Sequence, residues 1–349
     1  MHRAKENPLI TIQDIKPSHP SLKVDGVFNC GATKYKDSYI LLLRIAESAM
    51  TKEGYIDVPQ LSKDNHVIIK SIHKSDQSYN FDDSRIIKHH NRKVAFLTSL
   101  SHFRRAISKD GIHFEIDEEP WILPSGQMEA WGIEDPRITN IDQTYLITYT
   151  AVSEHGVAVG LIETSDFISY QRKGLILPVD NKDVSIFPEK INNKYYMYHR
   201  PIPTDIGYPN MWSASSENLT HWGEHKLLLT VSKEGWDSGR VGGGAPSFKT
   251  NEGWLHIYHA ATQGKAVYSL GAFLTSLDDP TKIIMRTDEP ILSPETSYEK
   301  EGFFGDVVFT CGTICDDEKV MIYYGAADDK ICLATASISE ILSKLKKVI

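Results

Sequence analysis

The chain has 349 residues and a formal net charge of -8, from 46 acidic and 38 basic side chains, with 41% hydrophobic and 10% aromatic residues. This composition supports a sizeable globular core. The acidic balance, with no basic run beyond Lys344, Lys346 and Lys347, excludes a general nucleic-acid or anionic-membrane surface.

No Pro-, Gly- or Ser-rich linker parts the chain, so residues 1–349 are expected to form a single domain. Cys30, Cys311, Cys315 and Cys332 are scattered through mostly apolar stretches, which fits reduced thiols rather than a disulfide framework or a metal site. The N-terminus, MHRAKENPLITI, lacks the apolar segment of a signal peptide, and no stretch reaches the length of a membrane span. The expected location is the cytoplasm.

In chain order, one unit recurs: a polar or small start, an apolar strand, a turn with Asp, Asn or Gly, then a strand rich in Tyr and branched aliphatics. Its first copy is Phe28 to Arg44 (FNCGATKYKDSYILLLR). An insertion follows over roughly Thr51 to Lys93, after which Val94 to Glu115 reads as the outer strand pair of the first unit. The second copy, Glu134 to Ala151, is followed by an outer pair over Val157 to Leu177; the third, Asp183 to Arg200, by one over Met211 to Leu229. The fourth and fifth run from Ala245 to His259 and from Asp306 to Ala326. SISEILSKLKKVI, at the C-terminus, reads as a short helix capped by Ser337 or Ser339. Five repeats of a four-stranded unit predict an all-β fold, a five-bladed β-propeller; a β-sandwich would not require the same hairpin five times.

In a propeller the inner strands start around one channel, so polar residues far apart in sequence converge there. The termini of the Tyr-rich hairpins carry Asn29, Arg44, Asp135, Lys182, Asp183, Arg200, His259, Asp306 and Asp328. Any one of these alone reads as a solvated loop residue. Their recurrence from unit to unit marks a site. GIEDPRIT (Gly132 to Thr139) is the most specific string: Pro136 restricts Asp135, and Arg137 can orient a carboxylate or a substrate oxygen. Gly242 to Gly244 lacks the G-K-[ST] of a phosphate loop and precedes a strand, and His89 and His90 read as a solvated pair rather than a metal site.

These blocks, in order (FNCGATKYKDSYILLLR, HFRRAISKDGIHFE, GIEDPRIT, NKDVSIFPEKINNKYYMYHRP, GGGAPSFKTNEGWLHIYH, GDVVFTCG and YYGAAD), resemble glycoside hydrolase family 130 over nearly the whole chain. The family comprises β-mannoside phosphorylases and related β-mannosidases. The resemblance implies that Asp135 is the general acid, its proton passing through the mannose 3-hydroxyl. Lys182, Arg200 and His259, with Tyr268, match phosphate-contacting positions, Lys182 standing where many relatives have arginine. Asn29, Arg44, Arg104, Asp306 and Asp328 match sugar-facing positions, Arg104 rather than Arg105 following from the alignment of HFRRA. Phosphate is already an anionic nucleophile, so such a site needs cationic donors and no second carboxylate to activate water. No metal or cofactor is required; inorganic phosphate is the co-substrate.

The resemblance is strongest to the β-1,2-mannobiose and β-1,2-oligomannan phosphorylases, and it implies inversion, α-mannose 1-phosphate as product and a homo-oligomer, a dimer. The alternatives are a β-1,4-mannoside phosphorylase, a β-mannoside hydrolase, and a non-catalytic sugar-binding propeller. Linkage and chain length are expected to be set by the loops Thr51 to Lys93 and Pro201 to Met211.

Overall fold

The computed structural model describes residues 1–83, 85–91, 93–265 and 267–348. It is all-β, with five main antiparallel sheets that follow one another along the chain and two small ones. The first sheet contains Leu22–Tyr35, Ser38–Ala49, Ser99–Ser108 and Glu115–Ile116. The second is a meander of Ile133–Ile141, Thr144–Ser153, Gly156–Thr164 and Gln171–Leu177, and the third one of Asn181–Ile186, Tyr195–Pro201, Met211–Ser216 and Gly223–Leu229. The fourth runs Arg240–Gly243, Trp254–Ala261, Tyr268–Thr275 and Ile283–Arg286, with Phe248–Lys249 alongside Trp254–Ala261. In the fifth, Val308–Asp316, Lys319–Ala326 and Lys330–Ser337 are joined by the N-terminal pair His2–Arg3.

Because side chains alternate across a strand, each sheet has two faces, and here both are apolar over much of their extent. Each face packs on the next sheet. Ile40, Leu42 and Phe103 of the first sheet meet Ile133, Ile147 and Ala158 of the second. Leu146 and Leu161 meet Val184 and Met197 of the third, and Tyr198 and Met211 meet Tyr258 and Phe273 of the fourth. Leu255 and Leu270 meet Val308 and Ile322 of the fifth, and Tyr323 and Leu333 return to Val27 and Leu43 of the first. The core is therefore five inter-sheet layers rather than one centre.

Three expectations are corrected. The fourth hairpin starts at Arg240, not Ala245, because the glycine-rich run itself pairs with Tyr258 to Ala261. The insertion extends to Leu97: Val94–Leu97 pairs with Ile86–His89, which also pairs with Tyr79–Asp83, while Tyr55–Leu61 pairs with Val67–His73. The outer pair of the first sheet therefore starts at Ser99. The C-terminal helix spans only Ile338–Leu342, capped by Ser337, whose hydroxyl accepts from the Glu340 amide. Leu345 is buried in the last inter-sheet core, and Lys346–Lys347 pairs with Met285 and Arg286, which pulls the chain out of helical register.

Candidate active site

Within the first strand of each of the first three sheets the ladder slips, between Phe28 and Gly31, Glu134 and Arg137, and Lys182 and Ser185. Each slip contains one residue in the left-handed region: Asn29 (φ 49°), Asp135 (φ 52°) and Asp183 (φ 58°). Asn and Asp tolerate that conformation better than other side chains, and a bulge re-aims the side chain it carries. Asp306 (φ 60°) enters the fifth sheet and Asp328 (φ 56°) follows its second strand in the same conformation. The fourth sheet has glycine instead: a Cβ on Gly242 would lie 2.6 Å from His259 Nε2 and would also collide with Asp183 Oδ2.

These entries meet. Asp135 is buried, and its Oδ1 accepts from Asn29 Nδ2 at 3.0 Å and from Arg44 NH1 at 2.8 Å. Arg44 also donates from NH2 to Glu134 Oε1 at 2.8 Å and stands 4.5 Å from the Phe28 ring centroid. Burial works to raise the Asp135 pKa, but Arg44, Lys182, Arg137 and the Asn29 hydrogen bond outweigh it and hold the carboxyl below its ordinary value. Asp328 is pushed the other way, up to about 7, by burial and by the Asp135 and Glu134 charges, against the pull of Arg44 and Arg85.

Beside this group lies a cationic one organised by Asp183. Its Oδ2 accepts from Arg200 Nε at 2.6 Å and its Oδ1 from Arg137 NH2 at 3.3 Å. His259 Nε2 stands 3.2 Å from Oδ2, within ion-pair distance but off the direction of a hydrogen bond. Arg137 also donates to the carbonyls of Gly243 and Gly244, tying the second sheet to the fourth. The surrounding cations outweigh burial and hold Asp183 well below the carboxylate range, whereas burial pushes His259 down to about 4, leaving it neutral at pH 7. Because Arg200 is held through Nε, the outer edge of its guanidinium stays available to a ligand. Lys182 pairs across the strand with Arg200 and makes no side-chain hydrogen bond among the described residues.

Tyr268 accepts from Arg240 NH1 at 2.9 Å, and its amide donates to the Asp306 carbonyl at 3.0 Å. Asp306 Oδ2 accepts from Lys265 Nζ at 2.6 Å. Asn29, Arg44, Asp135 and Asp328 thus form one group; Lys182, Arg200 and His259 gather round Asp183; Tyr268 and Asp306 stand at the junction of the fourth and fifth sheets. Arg104 stands apart. It lies on the third strand of the first sheet, on the face opposite Arg44, buried near Glu47, and its Nε and NH2 have no partner among the described residues. Arg105 turns to Asp117 and the Phe167 carbonyl instead.

Arg240 lies outside the fourth hairpin as its sequence pattern delimits it, from Ala245, and enters the sheet through the glycine run that follows it. Its signal is a basic residue two positions ahead of a glycine paired to a strand-end histidine, Gly242 opposite His259. Asp183 and Glu134 were visible as charges, but nothing in the sequence shows that guanidinium groups neutralise them. A cleft of about 1010 Å³ lined by Lys249, Glu252, Asp317 and Leu342 lies at the turn end of the last two sheets and holds none of these groups. Among the described residues no cluster of three or more His, Cys, Asp or Glu is placed to hold a metal, and no helix is long and apolar enough to cross a membrane.

The family model for glycoside hydrolase 130, described as beta-1,4-mannooligosaccharide phosphorylase, matches residues 84–347. The chain is 45% identical over 350 aligned residues to a beta-1,2-mannobiose phosphorylase of Listeria innocua, covering 99% of this chain and 98% of that one. A 1,2-beta-oligomannan phosphorylase of Thermoanaerobacter is 42% identical over 245 residues, 69% of this chain and 80% of its own. The solved beta-1,2-mannobiose complex of the Listeria innocua enzyme superposes with a TM-score of 0.96 at 44% identity over 98% of both chains. With the family match spanning most of the sequence and a relative aligned nearly end to end, the chain belongs to glycoside hydrolase family 130.

Proposed function

We propose that the chain is an inverting phosphorylase that cleaves β-1,2-mannobiose or β-1,2-mannooligosaccharides with inorganic phosphate, giving α-mannose 1-phosphate and a shortened sugar. The near end-to-end likeness to the Listeria innocua enzyme supports the linkage. Cyclic packing of the five sheets supports a five-bladed propeller forming one domain, with the two charged groups at the mouth of its channel.

The observation that carries the reaction type is the Asp135 carboxyl standing beside a basic group, in which Lys182, Arg200 and the neutral His259 gather round Asp183, with Arg240 and Tyr268 at the adjoining junction of the fourth and fifth sheets. Phosphate held there meets the anomeric carbon from the face opposite the leaving sugar, its charge matched by Lys182 and the Arg200 fork. His259, neutral, and Tyr268 supply hydrogen bonds rather than charge. Asp135 delivers the proton that releases the leaving sugar. A hydrolase would need a carboxylate base on the nucleophile side, but Asp183 there is tied to Arg137 and Arg200 and is a poor base for that reason. Asn29, Arg44, Asp306 and Asp328 would hold the transferred mannose; Arg104, on the opposite face of the first sheet, takes no part in this reading.

The test is sugar release from β-1,2-mannobiose and from β-1,4-mannobiose, each with and without phosphate, following mannose 1-phosphate and free mannose. Mannose 1-phosphate formed only with phosphate and only from the β-1,2 substrate is expected. Free mannose without phosphate would mean hydrolysis, and preference for the second substrate would favour the linkage in the family model's description. Asp135→Asn should abolish turnover by at least about a hundredfold while leaving sugar binding intact, which also separates an enzyme from a sugar-binding module.

A further inference from the structure

The inserted unit of Tyr55 to Leu97 belongs by sequence to the first sheet but is fastened to both neighbours of that sheet. On one side the Leu61 amide donates to the Ala130 carbonyl, the Gly126 amide donates to Asn65 Oδ1, and Phe96 packs on Trp131 with ring centroids 6.4 Å apart. On the other side Arg85 stands 4.3 Å from the ring centroid of Phe304. Phe304 enters the fifth sheet, its amide donating to the Ala327 carbonyl beside Asp328, and it packs with Val307, Phe309 and Tyr268. The insertion therefore bridges from the segment that leads into the second sheet to the one that leads into the fifth, and Arg85 is its cation on the fifth-sheet side.

Arg85 is held in place from behind. Asp83 accepts from Arg85 Nε at 3.2 Å and from NH2 at 3.1 Å, and from the Arg85 amide at 2.9 Å. NH1 makes no hydrogen bond among the described residues, and the Arg85 charge acts on Asp328 together with that of Arg44. A guanidinium with one fixed edge, a free nitrogen and an aromatic ring beneath it suits a sugar: the ring takes an apolar face and the nitrogen a hydroxyl.

We propose that Arg85 and Phe304 form the wall of the subsite for the leaving sugar, and that Arg85 is a specificity-determining residue for the mannosyl unit released from β-1,2-mannobiose. The assignment rests on the proposed function for the identity of the sugar. It places Arg85 on the acceptor side, away from Asp183, with Phe304 in the same apolar cluster as Tyr268.

Binding of β-1,2-mannobiose is measured by calorimetry on Asp135→Asn and on Asp135→Asn/Arg85→Ala, and turnover kinetics on the wild type, Arg85→Ala, Arg85→Lys and Phe304→Leu. Loss of Arg85 is expected to weaken disaccharide binding about tenfold or more. In the synthetic direction the KM for acceptor mannose should rise similarly in Arg85→Ala, with those for mannose 1-phosphate and phosphate within about twofold of the wild type, and Arg85→Lys should restore part of the loss. Unchanged disaccharide affinity, or a rise confined to the phosphate KM, overturns the assignment. Phe304→Leu, which keeps the apolar cluster filled, should reproduce the acceptor effect; an acceptor KM equal to the wild type's in both single variants overturns the assignment even if one folds poorly. A wild type that yields no mannose 1-phosphate, with affinity still dependent on Arg85, would sink the proposed reaction and leave the subsite standing.

Discussion

Asp183→Asn removes one charge and almost no volume at a side chain with no solvent exposure, between Arg200 at 2.6 Å and Arg137 at 3.3 Å. Since His259 is neutral at pH 7, the substitution leaves two guanidinium groups without their common counter-ion. Breaking a buried pair by removing one partner costs about 3 to 5 kcal/mol, and the retained amide oxygen, which still accepts one hydrogen bond, places this variant at about 3. For a chain of 349 residues that corresponds to a fall in Tm of about 4 °C. Phosphate should then act as replacement counter-ion, so the variant should gain more Tm from added phosphate than the wild type does. Turnover should drop as well, because on the proposed reading the bond from Arg200 Nε to Asp183 is what turns the Arg200 fork toward phosphate. The assay is thermal unfolding in phosphate-free buffer and across a phosphate titration. A variant that melts within a degree of the wild type without phosphate, and responds to phosphate no more strongly, would refute the reasoning.

Gly242→Ala places a methyl against Asp183 and His259, so phosphorolysis should fall by at least about tenfold while sugar affinity in the Asp135→Asn background holds, since the clash lies on the phosphate side. Stability should also fall in acid through three buried histidines, offset by about one group's share because Asp328, raised to about 7, takes up its proton in the fold first. Burial pushes His199 down to about 3, with His225 adding to it, burial pushes His259 down to about 4, and it pushes His256 well below its ordinary value. All three stay neutral in the fold while the unfolded chain takes up protons below about 6.5, so stability is full above that pH and declines by up to about 1.4 kcal/mol per unit for each group as pH falls toward 4. Urea unfolding at pH 7, 6 and 5 should show the slope, and His256→Gln should remove about one proton's share of it; the same slope in the variant would count against that assignment.

The sheets were legible because their hairpins repeat, and the repeat located the strand entries where Asn29, Asp135, Asp183 and Asp306 sit. The backbone at those entries was not legible. A left-handed residue inside a bulge looks in sequence like any polar residue before a strand, and only the φ of 52° at Asp135 and the slip from Glu134 to Arg137 explain why that carboxyl leaves the sheet. The N-terminal strand was missed for another reason: His2–Arg3 has no apolar pattern and is held by backbone pairing to Ala334 and Thr335 and by Arg3 bonding Glu299. Arg240 lies just ahead of a glycine run that the sequence sets before the fourth hairpin and Arg85 lies inside the insertion, and their partners Tyr268 and Phe304 are remote in the chain.

The charge arrangement also links the two halves of the site. A general acid must carry a proton, yet Arg44, Lys182 and Arg137 hold Asp135 on the ionised side. On the proposed reading, two of those three cations belong to the region that phosphate enters. A phosphate anion near Lys182 and Arg137 offsets their pull on Asp135 and adds its own negative charge, both of which move the carboxyl toward protonation. Arg44 is engaged by Glu134 at the same time, so it cannot fully compensate. Proton uptake at Asp135 is thus thermodynamically tied to filling the cationic group, and by reciprocity a protonated Asp135 favours phosphate. An acid that gains its proton as the nucleophile arrives needs no second carboxylate, which is why Asp183 can be committed to holding Arg137 and Arg200 in place.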